Sequence, residues 1–189
     1  MQRKNKTNFK NSASLRLCAF HVKKSCIQQM DTIKKDDFLK EILFVLRETF
    51  EGSPEGQGSA YLDRGVGIFA TLEKLSAADV STEVGGTTIA AHTEHAKFYL
   101  DRICEFLEGR TEKVNWEQSW LIETVNETGW NFLREGMRKS YENTVRCFAE
   151  IEFWNEDNIG DAVAITAHTA YHLGAMRQIM KSVKQNENN

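Results

Sequence analysis

The sequence predicts an all-α protein: a four-helix bundle with one short extra helix. Three observations carry that reading. Apolar residues recur at steps of three and four through four long segments, the spacing that gathers side chains onto one face of a helix. Alternating β-branched runs bounded by turns, the mark of strands, are nearly absent. The chain also has a single proline, Pro54, so little interrupts long helices. Amphipathic helices without strands bury their stripes against one another, which makes a bundle. At 189 residues one domain of this kind holds a sizeable core without disulfide or metal staples.

The elements follow in order. Residues 1–29 are expected to be a disordered, basic extension, with the bundle domain spanning 30–189. Arg3, Lys4, Lys6, Lys10, Arg16, Lys23 and Lys24 fall there, and no acidic residue precedes Asp31. An upstream translation start ahead of Met30 accounts for it better than a targeting peptide, because it lacks an apolar core and an amphipathic period. The first long helix runs from Asp31 or Thr32 to about Phe50 through Leu39, Ile42, Leu43 and Leu46, and Gly52 ends it. Residues 51–60 concentrate glycine and Pro54 into a flexible connector. A short helix follows through Ile68, Phe69, Leu72 and Leu75, and Ser76 to Asp79 reads as a capping signal. Gly85-Gly86 then breaks the chain before Thr88, which caps the second long helix to about Glu108. The third runs from about Glu123 to Ile151 through Trp130, Leu133, Met137, Tyr141, Val145 and Phe148. The fourth begins at Asn158 or Asp161, and residues 184–189 are expected to fray.

Composition narrows the function classes. The net charge is −3, and the basic residues gathered at the N-terminus leave an acidic body, which argues against a nucleic-acid partner. No run of about 18 apolar residues exists to span a membrane. Cys18, Cys26, Cys104 and Cys147 form no C-x-x-C and read as free thiols of a reducing cytoplasm, the last two as core residues.

The histidines carry the chemistry. His168 and His172, four residues apart, lie about 40° apart on one helix face. They belong to the stripe Ile165, His168, His172, Met176, Ile179 and Val183, which points into the core. The second long helix carries a matching stripe of Ile89, His92, Ala96, Leu100, Ile103 and Leu107. On the helical wheel His92 lies about 45° from the centre of that stripe and His95 about 100° away. The wheel thus selects His92 as the inward residue and puts His95 on the flank. Two imidazoles from one helix and one from another make a three-His set with a position open to water or substrate. A metal held so either brings the pKa of bound water towards ~7 or binds a thiol as thiolate. Imidazoles suit zinc, nickel, copper and iron alike. A carboxylate-bridged di-iron site needs Glu-x-x-His pairs, of which there are none, and a hemerythrin-like site needs more histidines than the chain has in position. Glu94, His95 and Tyr171 are candidates for acid/base work or outer-shell contacts. Against these stand a solvated charge for Glu94, a flank position for His95, and packing against a neighbouring helix for Tyr171. Trp116 and Trp120 could line a pocket or a dimer face, although aromatics at helical spacing are usually core.

The stretch Thr87-Thr-Ile-Ala-Ala-His92-Thr-Glu-His-Ala-Lys-Phe-Tyr-Leu, the tryptophan-bearing middle and His168-Thr-Ala-Tyr-His172-Leu-Gly-Ala together resemble the DinB-like (DinB/YfiT) family over about residues 31–183. The resemblance implies a four-helix bundle of unusual connectivity, with a divalent metal, zinc or nickel foremost, held by His92, His168 and His172. It also implies a homodimer formed through helix faces. Members with known activity are similar to metal-dependent transferases acting on low-molecular-weight thiols such as bacillithiol or mycothiol, or to related isomerases and hydrolases. The expected partner is therefore a small-molecule substrate, with a low-molecular-weight thiol as second cofactor. One departure is Gly174-Ala175-Met176-Arg177-Gln178, where a compact Gly-Gln is common. The alternatives are a non-catalytic metal- or ligand-binding bundle with a stress or regulatory role, and a metal-free structural dimer with buried histidines.

Overall fold

The computed structural model describes residues 32–186 apart from Gln57. The expected N-terminal extension and the last three residues of the tail lie outside them. Six helices form among the described residues: α1 (Lys35–Glu51), α2 (Ile68–Leu72), α3 (Ala77–Ser81), α4 (Ile89–Leu107), α5 (Glu127–Glu150) and α6 (Glu156–Asn186), with a 3-10 turn at Trp116–Trp120. No strand is present among them, only an isolated bridge between Val84 and Thr87. No helix among the described residues is long and apolar enough to cross a membrane.

Several helix ends differ from the sequence expectation, each for a local reason. α5 starts at Glu127 rather than Glu123 because the Asn126 side chain accepts from the Gly129 amide, satisfying one of the donors a helix start leaves open. α6 starts at Glu156, ahead of Asn158 and Asp161, because Asn155 Oδ1 accepts from the Asn158 amide at 2.8 Å. At its other end α6 stays helical through Asn186, past the expected fraying point at 184, and Lys184 in the last turn favours the negative end of the helix dipole. α1 begins at Lys35, a turn later than Asp31 or Thr32. Asp36 and Asp37 then occupy its first turn, where carboxylates suit the helix dipole.

Residue pairings across the helices define their directions. Between α4 and α5, Lys97 lies against Gly136, Ser140 donates to Asp101 at 2.5 Å, Cys104 meets Thr144 at 3.5 Å and Cys147 donates to Glu108 at 3.8 Å. Both numbers rise together, so α4 and α5 run parallel. His92 pairs with His172 and His95 with His168, which makes α6 antiparallel to α4. Phe50 stacks on Tyr141 while Phe38 meets Trp154 beyond the end of α5, so α1 runs antiparallel to α5. Parallel neighbours require a return path. α4 has 19 residues and spans roughly 28 Å at 1.5 Å per residue, so the 108–126 connection must travel back along it.

The interior is made where these helices meet. Leu46 and Phe50 of α1, Ile89 and Leu100 of α4, Trp130, Met137 and Phe148 of α5, and Leu173 and Met176 of α6 are all essentially inaccessible. The Trp130 indole N–H donates to the Leu75 carbonyl at 2.9 Å, which gives its buried polar end a partner. The loop expected to be a flexible connector is tied down at its far end. Glu48, itself buried, accepts from the backbone amides of Ala60, Tyr61 and Leu62 and from the Ser59 hydroxyl. Chain meets chain at Gly67, where a Cβ would sit 2.5 Å from the Gly52 nitrogen and 2.7 Å from the Phe50 carbonyl oxygen. Gly85 and Gly86, both at positive φ (64° and 84°), make a two-residue turn that only such residues enter without strain. It delivers Thr88 to its capping position, where Oγ1 accepts from the Ala91 amide and donates to the Glu123 carbonyl.

Candidate metal centre

α4 and α6 bring four imidazoles together. His92, His95 and His172 are 7%, 6% and 2% exposed, and His168 is half-buried. The Nε2 atoms of His95 and His172 each lie 3.1 Å from Nε2 of His168, and one nitrogen from each of the three rings falls within 4.8 Å of the others. His92 meets His172 on the other edge of its ring, Nδ1 to Nδ1 at 2.8 Å. The convergent nitrogens therefore belong to His95, His168 and His172. His92, which the wheel selects as the third member, stands behind His172.

The expectation that His95 lies on the flank is corrected. A wheel locates the centre of one stripe, but α4 packs against α5 on one side, α6 on another and the returning 108–126 connection on a third. Its buried sector is accordingly wider than a single stripe and takes in Thr93, His95 and Ala96 as well as His92. The tryptophans of that connection cover the cluster rather than the core. Trp120 stacks on His95 with centroids 3.9 Å apart, and Trp116 lies 4.7 Å from the ring of Tyr99. Both indoles remain 42% exposed. Tyr99 in turn stacks on His168 at 4.1 Å.

Ser119 decides a proton. Its hydroxyl donates to the Trp116 carbonyl at 2.7 Å and also contacts His95 Nδ1 at 2.8 Å. A carbonyl only accepts and a hydroxyl has one hydrogen, so Ser119 must accept from His95 Nδ1–H. Neutral His95 then carries its lone pair on Nε2, aimed at His168 and His172. Three Nε2 atoms facing one another with at least one bare lone pair are a set that one cation would satisfy together. His168 Nδ1 is buried without a hydrogen-bond partner.

Burial sets the electrostatics. It lowers the pKa of all four rings, with the neighbouring imidazoles adding to it at two of them. His95 is pushed down to about 4 by burial and then by His168 and His92, and His172 to about 3 by burial and then by His168, His95 and His92. The rings are therefore neutral near pH 7, the form that binds metals. A base whose pKa is lower in the folded state binds more protons when unfolded, so stability falls as pH falls. Metal-free protein should lose stability progressively from pH ~6.5 towards ~4. The slope is at most ~1.4 kcal/mol per pH unit per histidine, less at half-buried His168. Urea midpoints across that range should slope upward with pH, and His172→Gln should flatten them.

The remaining candidates take other places. Glu94 is half-buried beside His95, and burial raises its carboxyl pKa against the pull of Lys97. Tyr171 does not pack into a neighbouring helix as expected: it is 70% exposed and presents its ring edge-on to His172 at 5.1 Å. Cys104 and Cys147 are buried free thiols, as expected of core residues, and burial pushes Cys147 up to about 12. A cavity of about 500 Å³ lies alongside the cluster, lined by Thr87, Thr88, His92, Trp120, Glu123 and their neighbours.

Sequence reasoning missed Ser119 and Tyr99. Tyr99 lies four residues after His95 and Trp120 four after Trp116, so two aromatic pairs at helical spacing were available as a signal. Nothing marked Ser119, whose role exists only because the connection folds back over α4. No protein-family model, curated protein or solved structure matches this chain.

Proposed function

We propose that this chain is a divalent-metal-dependent protein of DinB-like four-helix-bundle architecture, acting as a transferase on a low-molecular-weight thiol. The observation that carries the metal reading is the meeting of the His95, His168 and His172 Nε2 atoms, with the His95 lone pair directed by Ser119. The parallel pairing of α4 with α5 supports the architecture, being the sort of unusual connectivity the resemblance implies.

The residues fit the group. His95, His168 and His172 would hold the ion. Ser119 orients His95, and His172, if held through Nε2, would donate its Nδ1–H to His92. Such outer partners fix tautomer and ring orientation. When bound, zinc or nickel in a three-nitrogen set supplies Lewis acidity to water or to a thiol. Trp120 shields one side from water, and His92 and Trp120 border the cavity through which a substrate would approach. The burial of the cluster favours a second reading, a non-catalytic metal-binding role, since a catalytic metal must be reached.

Elemental analysis of protein purified without a histidine tag is expected to find close to one divalent ion per chain, and His168→Ala to abolish it. No ion after reconstitution with zinc and nickel would remove the metal reading. With metal present, thiols are then offered together with monochlorobimane. Turnover supports the transferase, and none with any low-molecular-weight thiol leaves the binding role.

A further inference from the structure

The cavity beside the histidines carries charge of one sign. Its floor is buried, with Thr88, Ala91 and His92 lining it. Its rim is exposed and bears Glu83 and Glu123. The two segments that build it account for the sign. No Lys or Arg occurs between Lys74 and Lys97, or between Lys113 and Arg134, while those stretches hold Asp79, Glu83, Glu94, Glu117, Glu123 and Glu127. On the long helices several acids have partners: Asp101 meets Lys97, Glu135 meets Lys139 and Glu150 meets Arg146. No described residue forms a hydrogen bond or an ion pair with the carboxylate of Glu83 or Glu123. Two carboxylates on the rim of a concave site draw cations in and turn anions away.

Exposed acids alone are satisfied by water, but the floor of the cavity is different. His92 is 7% exposed, its Nδ1 is taken up by His172 at 2.8 Å, and no group of the described chain bonds its Nε2. A polar atom at a buried position costs free energy when it is left without a partner. The His92 ring lines the cavity, so only something bound there can serve that nitrogen. With the proton of the Nδ1 contact on His172, as a metal on His172 Nε2 requires, neutral His92 carries its hydrogen on Nε2 and donates. Trp120 completes the wall. Its indole stays 42% exposed although His95 stacks on it, and an indole ring attracts an ammonium group. The volume, about 500 Å³, is that of a site for a small organic molecule.

We propose that this cavity selects its ligand by charge: the thiol it admits carries an ammonium group, held by Glu83, Glu123 and the Trp120 indole, and turns a hydrogen-bond acceptor to His92 Nε2. A thiol with a carboxylate in place of the ammonium is turned away. That the occupant is the thiol rests on the function proposed above, whereas the preference for a cation stands on the cavity's own residues.

Cysteamine and 3-mercaptopropionate are thiols of similar size with opposite charge at the end away from sulfur. Each is titrated at low salt into the full chain, zinc-free and zinc-loaded, and the Trp120 indole N–H resonance, assigned with Trp120→Phe, reports binding. Cysteamine is expected to bind at least ~10-fold more tightly in both forms, the scale of a charge attraction near a protein surface, and the ratio should fall as salt is raised. Glu83→Gln combined with Glu123→Gln should bring the two probes within about twofold of each other, with the helical circular-dichroism spectrum and the zinc content unchanged. Equal binding, no shift of Trp120 with either probe, tighter binding of 3-mercaptopropionate, or a preference that outlives both exchanges overturns the inference. A chain that takes no zinc yet prefers cysteamine loses the metal reading and keeps the charge selection. One that takes zinc and shows no preference keeps the metal reading and loses the charge selection.

Discussion

His95→Ala is expected to abolish stoichiometric metal binding, with at least a ~100-fold loss of affinity, whereas His92→Ala should cost only about 10- to 100-fold, as loss of an outer-shell partner does. The two residues are a turn apart on one helix, and wheel position would rank them the other way. Proton arithmetic at Ser119 sets the order, since the hydroxyl spends its hydrogen on the Trp116 carbonyl and so leaves the His95 lone pair at Nε2. Competition titration with a chromophoric chelator measures both variants. Ser119→Ala should fall with His92→Ala rather than with His95→Ala. Equal losses for His92→Ala and His95→Ala would show that His92 also ligates, and a greater loss for His92→Ala would return the site to the set drawn from the resemblance.

The second large effect is expected at Glu48, far from the histidines. Glu48→Ala should lower stability by ~2–3 kcal/mol, because it strands the buried Leu62 amide outright and leaves the part-buried amides of Ala60 and Tyr61 to water. Burial acts to raise the Glu48 pKa, but the amides of Ala60, Tyr61 and Leu62 and the Ser59 hydroxyl outweigh it, and the net shift is downward. A carboxyl whose pKa is depressed on folding stabilises above its unfolded pKa, and that contribution is lost as pH falls through the folded value. The wild-type advantage over Glu48→Ala should therefore be full above pH ~4.5 and shrink below it. Urea unfolding at pH 7 and pH 3 tests both parts. Glu48→Gln, which keeps an acceptor and drops the charge, should fall between them. A variant as stable as wild type at pH 7 would mean that the loop is held by something else.

Much of the helical plan was readable because it depends on local rules. Leu46 and Phe50, Ile89 and Leu100, and Met176 and Ile179 occur at the spacing that buries one face, and all are in the core. Thr88 and the Ser76–Asp79 capping box act where their types and spacing suggested. Helix starts were less legible, because Asn126 and Asn155 became caps only once the preceding chain had turned. The site was half legible. His168 and His172 share a face by spacing alone, and they do converge, but the third nitrogen comes from the residue the wheel placed on the flank. A wheel knows one helix, and burial at His95 is created by two others and a returning connection.

What the amino-acid sequence determined by itself is therefore the number of the long helices, the centre of the stripe each turns inward, and the pairing of two histidines on α6, since each follows from residues within a few turns of one another. What the tertiary structure alone decided is the direction of α5 against α4, and with it everything that the 108–126 connection brings. Parallel neighbours force that segment back along α4, which sets Trp120 on His95, Trp116 beside Tyr99 and Ser119 on Nδ1. Those contacts join residues more than 15 positions apart, where helical period carries no information and the path of the chain is what places one side chain on another.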